Sequence, residues 1–236
     1  MTLRSRFFAA TYDRQMAKVE NAGLRGYRER LLAGATGRVL EIGAGTGSNL
    51  RLYDPAVVSL TLTEPEIPMM RRLERKVREQ APAATVLCAP AEDLPFSDDS
   101  FDVAVSTLVL CGVEDQPRAL RELRRVLRPA GQLLFIEHVR SGDMHLARWQ
   151  DRMNGINRFM VGCDCNRPTL GSIQDAGFSV AHVEHTTMPK VFKFISPLIV
   201  GNATIPVAAP SLEAQLGGET GPDRQLADSK VPISPC

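Results

Sequence analysis

The chain has 236 residues, long enough for one α/β domain with a sizeable core. Its 28 Lys and Arg against 27 Asp and Glu leave a formal charge of +1, which argues against a polyelectrolyte built to hold nucleic acid. No stretch approaches the ~20 apolar residues of a membrane span, residues 1–10 lack a signal-peptide core, and five unevenly spaced cysteines suggest no disulfide framework. A cytoplasmic location is therefore expected.

Residues 4–33 read as mainly helical. Phe7, Phe8, Tyr12 and Met16 recur at helical spacing and a second amphipathic run covers Gly23 to Leu32. Two readings stand side by side: a helix packed on the domain, or a lid over a pocket with Tyr12 facing inward. The apolar run Arg38 to Ile42 then reads as a buried strand entering a turn with three alternating glycines, Gly43, Gly45 and Gly47. Glycines there permit φ > 0 and close approach of a ligand to the backbone. Ser48 to Leu52 are expected to open a helix, whose free N–H groups suit an anion. The spacing is not G-x-G-x-x-G, because position 48 is Ser.

Val58, Leu60 and Leu62 alternate with Ser59, Thr61 and Thr63 in a strand period that ends at Glu64-Pro65. Glu64 lies about 20 residues past the glycines, where a doubly wound fold places a carboxylate on ribose hydroxyls. Pro68 to Glu79 is expected to be a helix with Met70, Leu73 and Val77 inward. Thr85 to Cys88 is a short strand, Phe101 to Leu110 a buried central strand, Ala119 to Leu127 a helix closed by Pro129 and Gly131, and Gln132 to Val139 another buried strand. Leu146 to Phe159 is weakly patterned helix, and Trp149, Met153, Phe159 and Met160 within or beside it read first as core. Thr169 to Ala176 is a short helix, and Phe178–His185 with Phe194–Ile205 a closing strand pair. The polar, Gly- and Pro-rich residues after Ser211 have little to bury and read as a disordered tail. The arginine groups 71/72/75/78 and 121/124/125/128 read as solvated helix faces. Cys163-Asp164-Cys165 lacks a second ligand pair at zinc spacing, so no metal is expected. Strands alternating with helices argue for an open parallel sheet with right-handed crossovers.

Taken in order, E-I-G-A-G-T-G, T-E-P, A-E-D-L-P-F, S-F-D and R-R-V-L-R-P-A-G before a buried strand resemble the class I S-adenosylmethionine-dependent methyltransferases with the type 11 domain, over roughly residues 5–205. Thr107 to Cys111, Phe135 to Val139, and Gly162-Cys163 before Asn166-Arg167 are similar to the mammalian alkyl-thiol S-methyltransferases and their bacterial relatives. The resemblance implies an α/β fold: a Rossmann-like seven-stranded sheet, mostly parallel, with an antiparallel C-terminal strand. It implies a helical lid over 1–35, a cofactor-binding methyltransferase domain over 36–208 and a tail over 209–236.

It further implies that Gly43, Ala44, Gly45 and Gly47 line the methionine part of S-adenosylmethionine, with Glu41 holding the loop or meeting the amino group. Glu64 would take the ribose diol and Pro65 lie beside the adenine. Ala91, Glu92 and Asp93 would meet the adenine edge, and Thr107 and Leu108 floor the pocket near the sulfonium. Tyr12 would close it from the lid. Pro90 stands where many type 11 enzymes carry Asp. The membrane anchor of the mammalian enzymes has no counterpart, so membrane insertion is not carried over.

The expected partner is a small-molecule acceptor, with a thiol favoured over an oxygen, amine or lipid-amine nucleophile. A thiol of pKa about 8.5 is partly ionised near neutrality and needs little help from a base. Of His138, His145, His182 and His185, His138 ends a strand at the carboxyl edge and is the candidate catalytic residue. A nicotinamide-dependent oxidoreductase is disfavoured by Ser48, and a cofactor-binding protein without transferase activity is the remaining alternative.

Overall fold

The computed structural model of the chain describes residues 13–14 and 16–206, so the expected lid residue Tyr12 and the expected tail 209–236 lie outside the described residues. Seven strands form one sheet: β1 (Gly37–Ile42), β2 (Val57–Thr63), β3 (Thr85–Leu87), β4 (Phe101–Thr107), β5 (Leu127–His138), β6 (Ser179–Thr187) and β7 (Pro197–Thr204). Their order is β3-β2-β1-β4-β5-β7-β6. The first five are parallel, and β7 runs antiparallel to both β5 and β6. The connecting helices are α1 (Arg25–Leu32), α2 (Ile67–Gln80), α3 (Gln116–Val126), α4 (Met144–Val161) and α5 (Thr169–Asp175).

The apolar central strands supply both faces because successive side chains point to opposite sides. Val39, Leu62, Val103, Val105, Leu134 and Ile136 pack with Leu24, Leu31 and Leu32 of the N-terminal helical segment and with Leu73 and Val77 of α2. Leu40, Ile42, Ala104, Leu133 and Phe135 pack on the other face against Leu120, Leu123 and Val126 of α3 and Ile173 of α5.

Several boundaries differ from the sequence reading for local reasons. The N-terminal helix is broken at Gly23 (φ 140°), inside a π-helical turn over Glu20–Leu24 that precedes α1. In α2 the buried residues are Met69, Leu73 and Val77, an unbroken i, i+4 row that leaves Met70 half-buried. β4 stops at Thr107, short of the expected Leu110, because Leu108 turns to φ 64°. In α4 the expected core residues Trp149, Phe159 and Met160 are 43%, 70% and 69% exposed. That helix buries Ala147, Gln150 and Asn157, so polar side chains rather than an apolar stripe tie it to the domain. Gln150 Nε2 donates to the carbonyls of Val139 (3.0 Å) and Cys165 (2.7 Å). Among the described residues no helix is long and apolar enough to cross a membrane.

Candidate functional site

The strand order reverses between β1 and β4, and in open α/β sheets the crevice at that switch point, outside the carboxyl ends of the strands, receives ligands. The loop after β1 forms one wall. Gly43, Gly45 and Gly47 have φ of 54°, 58° and 81°. A Cβ on Gly43 would lie 2.7 Å from the Val109 methyls, and one on Gly47 2.6 Å from Leu50 Cδ1. At Gly45 the nearest atom would be Met69 Cε at 3.9 Å, so this glycine alone of the three faces open space. The expected helix after the loop is a succession of turns over 45–52, with Leu52 N–H donating to Asn49 C=O at 2.9 Å. Within it Asn49, 1% exposed, turns inward beneath the loop. At the end of β2, buried Glu64 crosses to the glycine loop. Its Oε2 accepts from Gly45 N–H (2.8 Å) and its Oε1 from Glu66 N–H (2.9 Å). Burial raises its pKa, and those two N–H groups oppose the rise.

Beneath the loop lies a buried polar network without a counterpart in the sequence reading, apart from Glu41 and Thr107. Arg28 of α1, 3% exposed, pairs through Nε with Glu20 (2.9 Å) and donates from Nη1 to Asn49 Oδ1 (2.9 Å) and Thr107 Oγ1 (2.8 Å). Asn49 Nδ2 donates to Glu41 Oε1 at 2.9 Å, and Tyr53 OH to Glu41 Oε2 at 2.6 Å. The N-terminal helix is thus bolted to the carboxyl ends of β1 and β4 by one guanidinium. Burial lifts the Glu41 carboxyl from its ordinary 4.5 to about 7, against the pull of Tyr53 and Arg28.

The sign of that shift sets a pH dependence. Between pH 4.5 and 7 the folded chain holds the Glu41 proton and the unfolded chain does not, so stability falls as pH rises through this window, by ~3 kcal/mol for Glu41 alone. Glu64 and Glu137, whose pKa values are also raised, add slope of the same sign. Urea midpoints at pH 5 and pH 7.5 should show the lower stability at pH 7.5, and Glu41→Gln should reduce the difference. An unchanged slope in that variant would exclude Glu41 as its source.

The loop after β4 forms the opposite wall, and Glu137, fully buried on β5, holds it. Oε1 accepts from Ser106 Oγ (2.6 Å) and from the N–H groups of Val109 and Leu110 (3.1 Å each), and Oε2 from Cys111 N–H (3.1 Å). A lone Glu within an apolar strand was the signal available in the sequence for this residue. Leu108 N–H donates to Ile136 C=O at 2.7 Å, which helps fix Leu108 in a left-handed conformation that costs ~1–2 kcal/mol for a side-chain-bearing residue. The turn after β3 supports the same loop: Glu92 Oε1 accepts from Glu114 N–H (2.8 Å) and Asp115 N–H (3.3 Å). Ala91 is buried, and Asp93 turns outward, 4.0 Å from Arg118.

At the end of β5, His138 is 7% exposed. Its Nδ1 faces two sulfurs, Cys111 Sγ at 3.6 Å and Cys163 Sγ at 3.4 Å, and its Nε2 is buried with no partner among the described residues. The neighbouring Cys111 thiol, with His138 assisting, draws the Cys163 thiol below its ordinary range against the effect of burial, while the Cys163 sulfur and burial push Cys111 well above it. Cys165 turns away towards Asn154. The close-spaced Cys-x-Cys is therefore split, and Cys163 finds its neighbours 52 and 25 residues upstream (163 − 111 and 163 − 138). His145, His182 and His185 are exposed and stand apart from this group.

A methyltransferase domain family matches residues 40–135, which include both walls of the crevice. Over a longer stretch, the chain is 32% identical across 203 residues to a thiol S-methyltransferase of Homo sapiens, covering 83% of this chain and 82% of the relative. The chain belongs to the S-adenosylmethionine-dependent methyltransferases. It is also 32% identical to the phosphatidylethanolamine N-methyltransferase of Cereibacter sphaeroides, over 72% of this chain and 87% of that one. In fold it is similar to a SAM-dependent methyltransferase of Thermotoga maritima described as a possible histamine N-methyltransferase. The TM-score is 0.64 at 24% identity, covering 87% of this chain and all of the other.

The cofactor of this methyltransferase is S-adenosylmethionine, and the residues present suit it. The open Cβ direction at Gly45 leaves room for close approach to the backbone, and Glu64 presents a buried carboxylate, of the kind that accepts hydrogen bonds from a diol, across that loop. When bound, the cofactor supplies an electrophilic methyl on a sulfonium.

Proposed function

We propose that this methyltransferase transfers the methyl group to the sulfur of a small-molecule thiol. The observation that carries the reading is the extent of the similarity to the human thiol S-methyltransferase: 83% of the chain cannot lie within its first 135 residues, so the match reaches past the cofactor-binding half into the segment that shapes the acceptor side. The cofactor would lie along Gly43, Ala44, Gly45 and Gly47, with Glu64 on the ribose hydroxyls, Pro65 and Ala91 beside the adenine, and Thr107 and Leu108 below the sulfonium. Glu92 and Asp93 would serve through the backbone of their turn, since the Glu92 carboxylate already holds the β4 loop. Arg28 would lend positive charge near the methionine carboxylate.

The protein's task is then to hold sulfur and methyl near 3 Å in line and away from water, which supplies several kcal/mol through effective molarity. His138, buried with Nε2 unpartnered, is the group we assign to the acceptor. His138→Gln should lower kcat/KM by ~10²-fold while S-adenosylhomocysteine binds as before by calorimetry.

Transfer of labelled methyl to a panel of alkyl thiols, hydrogen sulfide, phenols, amines and phosphatidylethanolamine vesicles tests the reading. Labelled thioether should dominate. Dominant label in the vesicles would replace it with the lipid-amine reading that the Cereibacter relative suggests, and label in phenols or soluble amines would equally overturn it.

A further inference from the structure

The geometry points to a metal site: Cys111 Sγ, Cys163 Sγ and His138 Nδ1 form a three-ligand set for a soft divalent cation of the zinc type. The three come from separate segments, namely the loop after β4, the end of β5 and the turn that follows α4. Their ligand atoms all lie within 4.8 Å of one another, and Nδ1 is 3.6 and 3.4 Å from the two sulfurs. A tetrahedral zinc ion with Zn–S of about 2.3 Å and Zn–N of about 2.0–2.1 Å separates sulfur from nitrogen by ~3.5 Å. The two nitrogen–sulfur separations thus already match edges of such a tetrahedron.

A single hydrogen bond at Nδ1 can serve only one of the two sulfurs that face it. A ring nitrogen carries either one lone pair or one hydrogen, yet this one is approached by two sulfurs at once. A cation at the centre would satisfy all three atoms. Two thiolates would neutralise its charge, and two sulfurs with one imidazole select zinc-like ions over magnesium or calcium.

The cluster is braced rather than loosely gathered. Asp164 N–H donates to Cys111 C=O at 2.8 Å, tying the residue after Cys163 to Cys111 itself. Arg167 donates to the carbonyls of Leu110 (3.1 Å) and Val113 (2.7 Å) and pairs with Asp164 at 2.6 Å. Gly112 permits the two loops to touch, since a Cβ there would be 3.1 Å from Gly162 O. Glu137 fixes the Cys111 backbone from below. Such support is what holds ligands in place before an ion arrives.

Three protein ligands leave a fourth position, the arrangement of catalytic rather than structural zinc. Cys111 is fully buried and Cys163 only partly, so access is from the Cys163 side. In a part that rests on the thiol reading above, the acceptor sulfur occupies this fourth position. The thiol releases its proton to solvent as its sulfur binds the cation. A sulfur lone pair then forms the new S–CH3 bond while the broken C–S pair stays on the donor, leaving S-adenosylhomocysteine and a neutral thioether, a weaker ligand that departs.

Titration of the reduced 236-residue chain with Co²⁺ tests the site without turnover. One equivalent should produce the near-ultraviolet thiolate-to-cobalt band and the visible d–d bands of a four-coordinate ion. Cys111→Ser and Cys163→Ser should each weaken binding by more than the ~10–100-fold that loss of a supporting group costs, and Cys165→Ser should titrate like the wild type. Absence of the charge-transfer band, or its survival in the Cys111→Ser/Cys163→Ser double variant with unchanged circular dichroism, would overturn the site. Addition of a small alkyl thiol should then intensify and shift the band. A band indifferent to thiol would overturn the acceptor's place on the metal while leaving the site. A cobalt-binding protein that methylates amines but no thiol would overturn the thiol reading and leave the site intact.

Discussion

Gly45→Val should abolish cofactor binding, raising the calorimetric Kd for S-adenosylhomocysteine at least ~100-fold, an effect of roughly 3 kcal/mol. Of the three loop glycines, Gly45 gives the cleanest test. Side chains at Gly43 and Gly47 would collide with Val109, Leu50 and Leu73, so a loss of binding there would be mixed with damage to the fold. At Gly45 an added Cβ would meet no atom of the described residues closer than 3.9 Å. The fold would bear chiefly the conformational cost of φ 58° in a residue with a Cβ, ~1–2 kcal/mol or somewhat more for a β-branched residue. At ~2–4 °C per kcal/mol for a domain of this size, the melting temperature should fall by only several degrees. With the cofactor placed as proposed, the isopropyl group would nonetheless stand in the way of its approach to the backbone. Normal affinity in the folded variant would place the cofactor elsewhere.

Glu137→Ala should cost ~4 kcal/mol or more of stability and end methyl transfer even at temperatures where the chain is still folded. One carboxylate accepts four hydrogen bonds, three of them from the N–H groups of consecutive residues 109–111. Removing it strands buried donors at ~1–3 kcal/mol each, against a total stability that for a domain is ~5–15 kcal/mol. The loop thereby released contains left-handed Leu108 on the crevice wall and Cys111 beside His138. Glu137→Gln should be milder, because an amide oxygen can still serve Ser106, Val109 and Leu110 while its NH2 opposes Cys111 N–H. Urea midpoints measure both variants. A Glu137→Ala midpoint equal to that of the wild type would show the loop to be held by other contacts.

The sequence by itself determined the strand and helix succession, since period-2 and period-3.6 apolar patterns record which side chains each element buries. It also determined the position of the glycine loop and of Glu64, because φ > 0 and a strand-end carboxylate at fixed spacing are local properties. Segments whose anchoring is polar were harder to read. α4 is tied down by Gln150 and Asn157, so its apolar residues gave a false expectation of core, and the turns after Gly47 depend on where Asn49 finds its partners. Only the tertiary structure decided that Arg28, Asn49 and Tyr53 meet Glu41 and Thr107, that Glu137 gathers the β4 loop, and that Cys163 abandons Cys165 for Cys111 and His138. Those contacts join residues 25 to 79 positions apart, or 8 to 12 where a loop folds under its own strand. Parallel crossovers bring such residues together at one sheet edge, and a local pattern carries no trace of which distant polar groups must satisfy one another once buried.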